Sequence, residues 1–184
     1  MNVVVLYSSP NEDGLTAACA AAAVEGIQQG GGNADEVRLN DLKISSCQAC
    51  GEGWGACRTE HECELRDDFQ ALHQQVIRAD ALILVNPVYW GEMSESAKAF
   101  TDRLRRSEAT REPKSQLAGK PVIAVAAAGG TGNGTITCLG SMERWIQHTQ
   151  GRVFDLIAVN RWTREYKLET IRAAAQALAS EVKA

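Results

Sequence analysis

Four of the chain's six cysteines lie within seventeen positions, where their thiols could bind metal or carry redox chemistry. They are Cys47, Cys50, Cys57 and Cys63, with the spacing C-x2-C-x6-C-x5-C. Four thiolates can ligate a [4Fe–4S] cluster, and the glycines at 51, 53 and 55 would let the chain fold around it. Zinc also binds four thiolates, but its structural sites usually have two short C-x2–4-C arms, and this stretch has one. Redox-active thiols and four unliganded thiols are further alternatives.

A segment with anion-binding chemistry follows the first apolar run. Residues 8–16, Ser-Ser-Pro-Asn-Glu-Asp-Gly-Leu-Thr, open a stretch with helical spacing. Hydroxyls, a glycine and successive N–H groups at a helix N-terminus can bind phosphate without a basic side chain. The segment has neither the lysine of a Walker A loop nor a G-x-G-x-x-G turn. An ordinary capped helix is the alternative, and Glu12 and Asp13 would repel a phosphate unless their carboxylates point outward.

Two further segments could contact a planar ligand. Residues 86–94 contain the adjacent aromatic residues Tyr89 and Trp90, which could form a wall against a flat ring. Residues 128–135 carry four glycines within six positions, which would let the backbone approach a ligand closely. Aromatic packing against a neighbouring helix or subunit, and an ordinary surface turn, are the alternative explanations.

The elements that must position these segments alternate between strand and helix. Apolar, β-branched runs predict strands at residues 3–7, 81–85, 122–126 and 153–159, with a weaker edge strand at 35–39. Helical spacing predicts helices at 15–28, 68–78, 93–106 and 136–149, and from 164 to the C-terminus. This alternation predicts an α/β fold whose five-stranded parallel sheet carries helices on both faces. Ligands of such sheets bind at the carboxyl ends of the strands.

Length and charge limit the classes of protein and partner. The 184 residues predict a single domain, 1–184, with a long cysteine-containing insertion loop at about 40–67. The net charge of −4 is spread along the chain, so we expect no nucleic acid partner. No apolar stretch approaches the ~20 residues of a membrane span and no basic leader precedes the first strand. We therefore expect no membrane partner and a cytoplasmic location, where structural disulfides are disfavoured.

The three loops together resemble those of a known family. Their most specific part is Pro87-Val88-Tyr89-Trp90-Gly91-Glu92-Met93-Ser94, followed by Lys98-Ala99-Phe100-Thr101-Asp102-Arg103. It is similar to the P-V-Y-W-G-x-M-S…K-x-F-x-D-R of flavodoxin-like NAD(P)H-dependent FMN reductases and quinone reductases, which include the iron–sulfur flavoproteins. The resemblance covers residues 2 to about 145. It implies a flavodoxin-like three-layer α/β/α fold with the strand order 2-1-3-4-5.

The same resemblance implies FMN as cofactor, with NADH or NADPH as electron donor. The residues implied to bind the FMN phosphate are Ser9, Asn11, Gly14, Leu15 and Thr16. Those implied to hold the ribityl chain and the isoalloxazine ring are Pro87, Val88, Tyr89, Trp90, Gly91 and Met93, with Gly129 and Gly130 on the ring's other side. The chain departs from the family at Asn11 and Glu12, where basic residues are usual, and at Leu15, where asparagine is usual. The glycine loop also lacks the family's common G-G-G-Q-E sequence.

The expected function is hydride transfer from NAD(P)H to flavin N5, followed by electron transfer to a quinone or another small acceptor. The flavin carries this chemistry, so no catalytic side chain is predicted. Iron–sulfur flavoproteins have a compact cysteine cluster in the same connection, commonly followed by D-D as here at Asp67-Asp68, although their third cysteine normally lies where Gly53 stands. An iron–sulfur electron carrier is therefore one alternative function, and a flavin-free thiol or metal sensor is another. The resemblance also implies a homodimer or homotetramer.

Overall fold

The computed structural model describes residues 1–181 and contains one sheet of five parallel strands in the order β2-β1-β3-β4-β5. The strands are β1 (Asn2–Tyr7), β2 (Asn33–Arg38), β3 (Ala81–Pro87), β4 (Pro121–Ala128) and β5 (Arg152–Asn160). The central strands β3 and β4 are buried along their whole length, as continuous apolar runs require when both faces of a sheet are covered. The predicted strand number, direction and order are confirmed.

The α-helices described within residues 1–181 are α1 (Leu15–Gln29), α2 (Ala56–Thr59), α3 (Phe69–Arg78), α4 (Glu95–Glu108), α5 (Thr135–His148) and α6 (Arg164–Glu181). Five of them match predicted helices, whereas α2, a single turn inside the cysteine segment, was not predicted. The helix expected to run from 164 to the C-terminus includes residues 182–184, which lie outside the described residues. Within the described part of the chain, no helix combines the length and hydropathy needed to cross a membrane.

Apolar cores lie on opposite faces of the sheet. Successive residues of a strand point to opposite faces, so Val3 and Val5 of β1 pack with α1 and α6. Val4 and Leu6 of the same strand pack with α3, α4 and α5. This arrangement is the predicted three-layer α/β/α sandwich.

The order of the strands brings three loops to one edge of the sheet. β3 lies between β1 and β4, and the register pairs Tyr7 with Val85 and Pro87 with Ala127. The carboxyl ends of these three strands therefore lie side by side. The cysteine segment, residues 40–67, instead leaves the sheet after β2 and returns at α3.

Candidate functional site

A buried polar network joins the carboxyl ends of β1 and β3 to the start of α4. Asn86 Oδ1 accepts hydrogen bonds from Ser8 Oγ at 2.9 Å and from Ser94 N at 3.1 Å. Ser94 Oγ donates to Ser8 Oγ at 2.8 Å, and it also caps α4 by accepting from Ala97 N at 3.4 Å. All three network side chains are 3% exposed or less. Because an unsatisfied buried polar group costs about 1–3 kcal/mol, the network fixes the two strand ends relative to each other.

Ser8, Asn86 and Ser94 were not predicted as site residues from the sequence. A signal was present, since Asn86 is a polar residue near the end of an otherwise apolar strand. A buried amide in that position needs partners, and the adjacent loops are the elements that can supply them.

The loop after β1 presents main-chain donors at the N-terminus of α1. Gly14 is the N-cap residue and makes no side-chain capping bond, and the first turn of the helix has no acidic residue. The N–H groups of that turn and the helix dipole therefore favour an anion. Ser9 and Thr16 are buried beside this helix start, Leu15 is half-buried and Asn11 is exposed. Ser9 Oγ accepts from Asn11 N at 3.1 Å and so shapes the loop.

Arg38, at the end of β2, braces this loop from the neighbouring strand. Its guanidinium donates to the carbonyl oxygens of Ser9 at 3.2 Å and Pro10 at 2.9 Å. Arg38 Nη1 also lies 3.3 Å from Glu12 Oε1 and 2.7 Å from Asp41 Oδ1. The Glu12 side chain is 85% exposed, so its carboxylate faces solvent and Arg38, which reduces the repulsion that a bound phosphate would meet. Arg38 was missed because the whole of α1 separates it in sequence from the loop.

The loop after β3 is a tight turn with a tryptophan at its tip. Tyr89 and Glu92 exchange backbone hydrogen bonds of 3.0 and 2.9 Å. Trp90 and Gly91 between them have φ angles of +53° and +83°. A positive φ is uncommon for a bulky residue, and the Trp90 side chain is fully exposed while Tyr89 is 43% exposed. A strained turn that holds aromatic rings in solvent at a ligand-binding edge suits contact with a planar ligand or a partner subunit.

The glycines of the loop after β4 serve different purposes. A Cβ at Gly134 would lie 2.7 Å from the Cα of Gly91, and Gly134 has a φ of +82°, so the close contact between these two loops requires glycine there. A Cβ at Gly129 or Gly130 would meet no atom within 4 Å. Gly129 and Gly130 therefore border open space at the edge where a flat ring is expected.

Three other predicted ring contacts lie deeper than the tip of the turn. Pro87 and Met93 are buried and Val88 is half-buried. Val88 N donates to Ala127 O at 3.0 Å, which ties the turn to β4. Met93 packs in the core and also borders a shallow groove that it shares with Cys47. The loops after β1, β3 and β4 are called the flavin edge here because the sequence predicts that they bind FMN, and this edge adjoins the cysteine segment.

The structure brings the four closely spaced cysteines around one cavity. Cys47, Cys50, Cys57 and Cys63 all border it as free thiols. The cavity holds about 20 Å³, which is room for about one water molecule. Among residues 1–181, no three His, Cys, Asp or Glu side chains are arranged to hold a single metal ion. Burial raises the pKa of the Cys50 thiol, and the neighbouring Glu64 carboxylate raises it further.

Arg103 of α4 fastens both ends of the cysteine segment to that helix. Its Nε donates to Cys63 Sγ at 3.2 Å, and Nη1 donates to Asp67 Oδ2 at 2.7 Å. The same guanidinium donates to the carbonyl oxygens of Ser45 at 3.1 Å and Leu65 at 3.2 Å, and it is only 1% exposed. Burial raises the pKa of the Asp67 carboxyl, but hydrogen bonds from Arg103 and from backbone N–H groups outweigh burial and lower this pKa to about 2.

Arg106 lies one turn further along the same wall of the cavity. Its guanidinium stacks over the Trp54 ring, 4.0 Å from the centroid, and donates to Gly53 O. Arg106 Nε is buried and has no hydrogen-bond partner within residues 1–181. Sequence reasoning missed both arginines as site residues. Their spacing on α4 becomes informative only once the cysteine segment is known to pack against that helix.

Comparison with known proteins defines the class. The family profile described as NADPH-dependent FMN reductase matches residues 1–157, so the chain belongs to this family. An iron-sulfur flavoprotein of Archaeoglobus fulgidus is 32% identical over 104 residues, which are 56% of this chain and 46% of that relative. An iron-sulfur flavoprotein of Methanosarcina thermophila is 27% identical over 153 residues, which are 83% of this chain and 76% of the relative.

The fold agrees with this family. An NAD(P)H:quinone oxidoreductase from Methanothermobacter marburgensis matches with a TM-score of 0.73 and 20% identity, covering 97% of this chain and 96% of that structure. At that identity the likeness shows the fold alone. The flavodoxin-like architecture and the family expected from the sequence are both confirmed.

Proposed function

We propose that the protein is an FMN-dependent oxidoreductase that passes electrons from NADH or NADPH to a quinone or another small acceptor. The observation that carries this proposal is the flavin edge. There an uncapped helix N-terminus, two exposed aromatic rings and open space over Gly129 and Gly130 lie on three adjacent strand ends. Membership of the FMN reductase family supports the same function.

The residues of the flavin edge fit the parts of FMN. The phosphate would be held by the group Ser9, Asn11, Gly14, Leu15 and Thr16. The ribityl chain and ring would be held by Pro87, Val88, Tyr89, Trp90, Gly91 and Met93, and Gly129 and Gly130 would lie on the ring's other side. When bound, FMN supplies the redox chemistry, with N5 as the hydride acceptor. The chain contributes binding and orientation, and the missing side chains at Gly129 and Gly130 leave room for the ring.

An anaerobic titration tests this function. Protein reconstituted with FMN should be yellow, and NADH or NADPH should bleach the flavin absorption before a quinone restores it. Replacement of Gly130 by valine would fill the open space and should weaken FMN binding by at least tenfold without lowering Tm. A flavin that neither nicotinamide bleaches would refute the reductase.

We further propose that the cysteine cavity holds a [4Fe–4S] cluster, whose chemistry is one-electron transfer. The donor set fits, because Cys47, Cys50, Cys57 and Cys63 surround one cavity beside two guanidinium groups. The four thiolates would each bind one iron of the cluster, so they need not converge on a single ion. The cavity must widen to admit a cluster. The iron-sulfur flavoproteins among the relatives also support this proposal.

Iron and sulfide analysis of anaerobically purified protein tests the cluster separately from the flavin. About four irons and four sulfides per chain are expected. Protein that binds FMN but holds neither element would leave the oxidoreductase intact and remove the cluster.

We also propose a homodimer or homotetramer in the cytoplasm. Large apolar side chains, those of Trp90, Ile136 and Trp162, are exposed on loops or a helix start that follow β3, β4 and β5. Association would remove this apolar surface from water. The free thiols of the cysteine cavity suit a reducing compartment. Light scattering coupled to size exclusion tests the assembly, and a monomer at micromolar concentration would contradict it.

A further inference from the structure

Two arginines of α4 face the cysteine cavity, and flavin reduction uses neither. Arg103 and Arg106 are three residues apart, so they share one face of the helix, and both border the cavity. Arg105 lies between them in sequence but borders a different groove, together with Lys98 and Arg144. The helix therefore directs two of these three cationic side chains to the four thiols.

Among residues 1–181, the charge of Arg106 has no ion-pair partner of opposite sign, whereas Arg103 is paired with Asp67. Arg106 Nε is also buried without a hydrogen-bond partner. The side chain is half-buried, and its contacts with the Trp54 ring and Gly53 O leave the guanidinium without a carboxylate. The carboxylate of Glu64, which borders the same cavity, instead accepts a hydrogen bond from Ala56 N at 2.8 Å. An anion in the cavity would supply both the missing partner of Nε and the opposite charge.

Arg103 contacts one prospective ligand directly. Its Nε donates a charged hydrogen bond to Cys63 Sγ at 3.2 Å, while Asp67 holds the other side of the guanidinium. Hydrogen bonds to cysteine sulfur are among the main determinants of the potential of an iron–sulfur cluster. A donor fixed by a buried ion pair keeps its orientation when the charge of the cluster changes.

We propose that Arg103 and Arg106 are positioning residues that raise the reduction potential of the [4Fe–4S] cluster held by the four cysteines. This inference rests on the second part of the proposed function. A cluster bound by four thiolates is an anion, and one electron from the reduced flavin adds one further negative charge. A nearby cation stabilises the reduced form more than the oxidised form, so the potential rises without uptake of a proton.

The experiment compares three single variants of the whole protein, reconstituted anaerobically with ferrous iron and sulfide. Arg106→Gln removes the charge at the cavity, Arg106→Lys keeps it, and Arg105→Gln removes the same charge one residue away. Iron and sulfide are counted for each, and the potential is measured by a dithionite titration followed by electron paramagnetic resonance. We expect the potential of Arg106→Gln to be more negative than that of the wild type. The potential of Arg105→Gln should equal that of the wild type. The potential of Arg106→Lys should lie between those of the wild type and Arg106→Gln.

Arg103→Lys gives a second measurement, since lysine keeps the charge but loses the fork of donors. Its potential should also be more negative than that of the wild type. Should Arg103→Lys fail to fold, the Arg106 series decides. A fully loaded Arg106→Gln with the potential of Arg105→Gln would overturn the inference. Should Arg106→Gln lose its iron, the loaded Arg106→Lys decides: a potential more negative than that of the wild type supports the inference, whereas an unchanged potential, or equal loss of iron from all three variants, overturns it. A wild type that binds FMN but no iron would remove both the cluster and this inference and leave the reductase standing.

Discussion

The flavin edge and the cysteine cavity are neighbours that are held in place in different ways. The flavin edge is built on the ends of central strands, and the buried network of Ser8, Asn86 and Ser94 locks two of its loops together. The cysteine cavity lies in a long segment that the side chain of Arg103 ties to α4 through four hydrogen bonds. The first arrangement depends on sheet pairing, whereas the second depends on a few polar contacts. The cavity should therefore be the easier of the two to disrupt.

The largest expected effect comes from breaking the ion pair that anchors the cysteine segment. Asp67→Ala leaves the buried Arg103 guanidinium without its carboxylate, and removing one partner of a buried pair costs about 3–5 kcal/mol. Denaturant unfolding should show this loss. FMN affinity should change by less than about twofold if the flavin edge is held independently.

Asp68→Ala is the matched control for this anchor. Asp68 is exposed and its carboxylate accepts a hydrogen bond from Lys43 N at 2.7 Å, so loss of this side chain should cost about 1 kcal/mol. Equal losses in Asp67→Ala and Asp68→Ala would show that the Arg103 ion pair does not anchor the segment.

The flavin edge should be disrupted by a substitution at Gly134, where the loop after β4 contacts the loop after β3. Gly134→Ala would place a Cβ 2.7 Å from the Cα of Gly91, at a φ of +82°, so we expect a loss of about 2–3 kcal/mol in stability. FMN affinity should fall with it because the aromatic turn must shift. Gly129→Ala enters open space and should leave Tm within about 1 °C. A tolerated Gly134→Ala with full FMN affinity would contradict the contact.

The two regions also differ in how far the sequence predicts them. Strands that are buried on both faces are apolar along their length, so continuous apolar runs in the sequence predict them. The ends of these predicted strands then indicate the flavin edge. Arg38 and Arg103 could not be found in the same way. Each acts through contacts with residues more than twenty positions away, and local spacing carries no information about such partners. The α2 turn escaped prediction because four residues are too few to show helical periodicity.

Acid should weaken the anchor of the cysteine segment before it affects the flavin edge. The pKa of Asp67 is lowered to about 2 in the folded protein, below its unfolded value of 3.8. A lowered carboxyl pKa gives stability that is complete above about pH 4 and is lost as the pH falls toward 2. The loss should amount to about 2 kcal/mol and should be absent in Asp67→Asn. Unfolding curves between pH 2 and 5 measure this loss in the free energy of unfolding. An identical pH dependence in Asp67→Asn would show that titration of Asp67 does not cause the loss.

The smallest expected effect concerns Arg38, which braces the loop proposed to bind the FMN phosphate without being part of it. Arg38→Met removes the hydrogen bonds to Ser9 O and Pro10 O and leaves Glu12 without its cation, so both the loop shape and the local charge become less favourable for a phosphate. FMN affinity should fall by about threefold to tenfold, equivalent to about 1 kcal/mol.

Glu12→Gln removes only the negative charge and should leave FMN affinity unchanged or raise it. Fluorescence quenching of FMN at two ionic strengths measures both variants, and the difference between them should narrow at high salt because Glu12 is exposed. Equal weakening in the two variants would mean that the ion pair, rather than the bonds to the backbone, is what holds the loop.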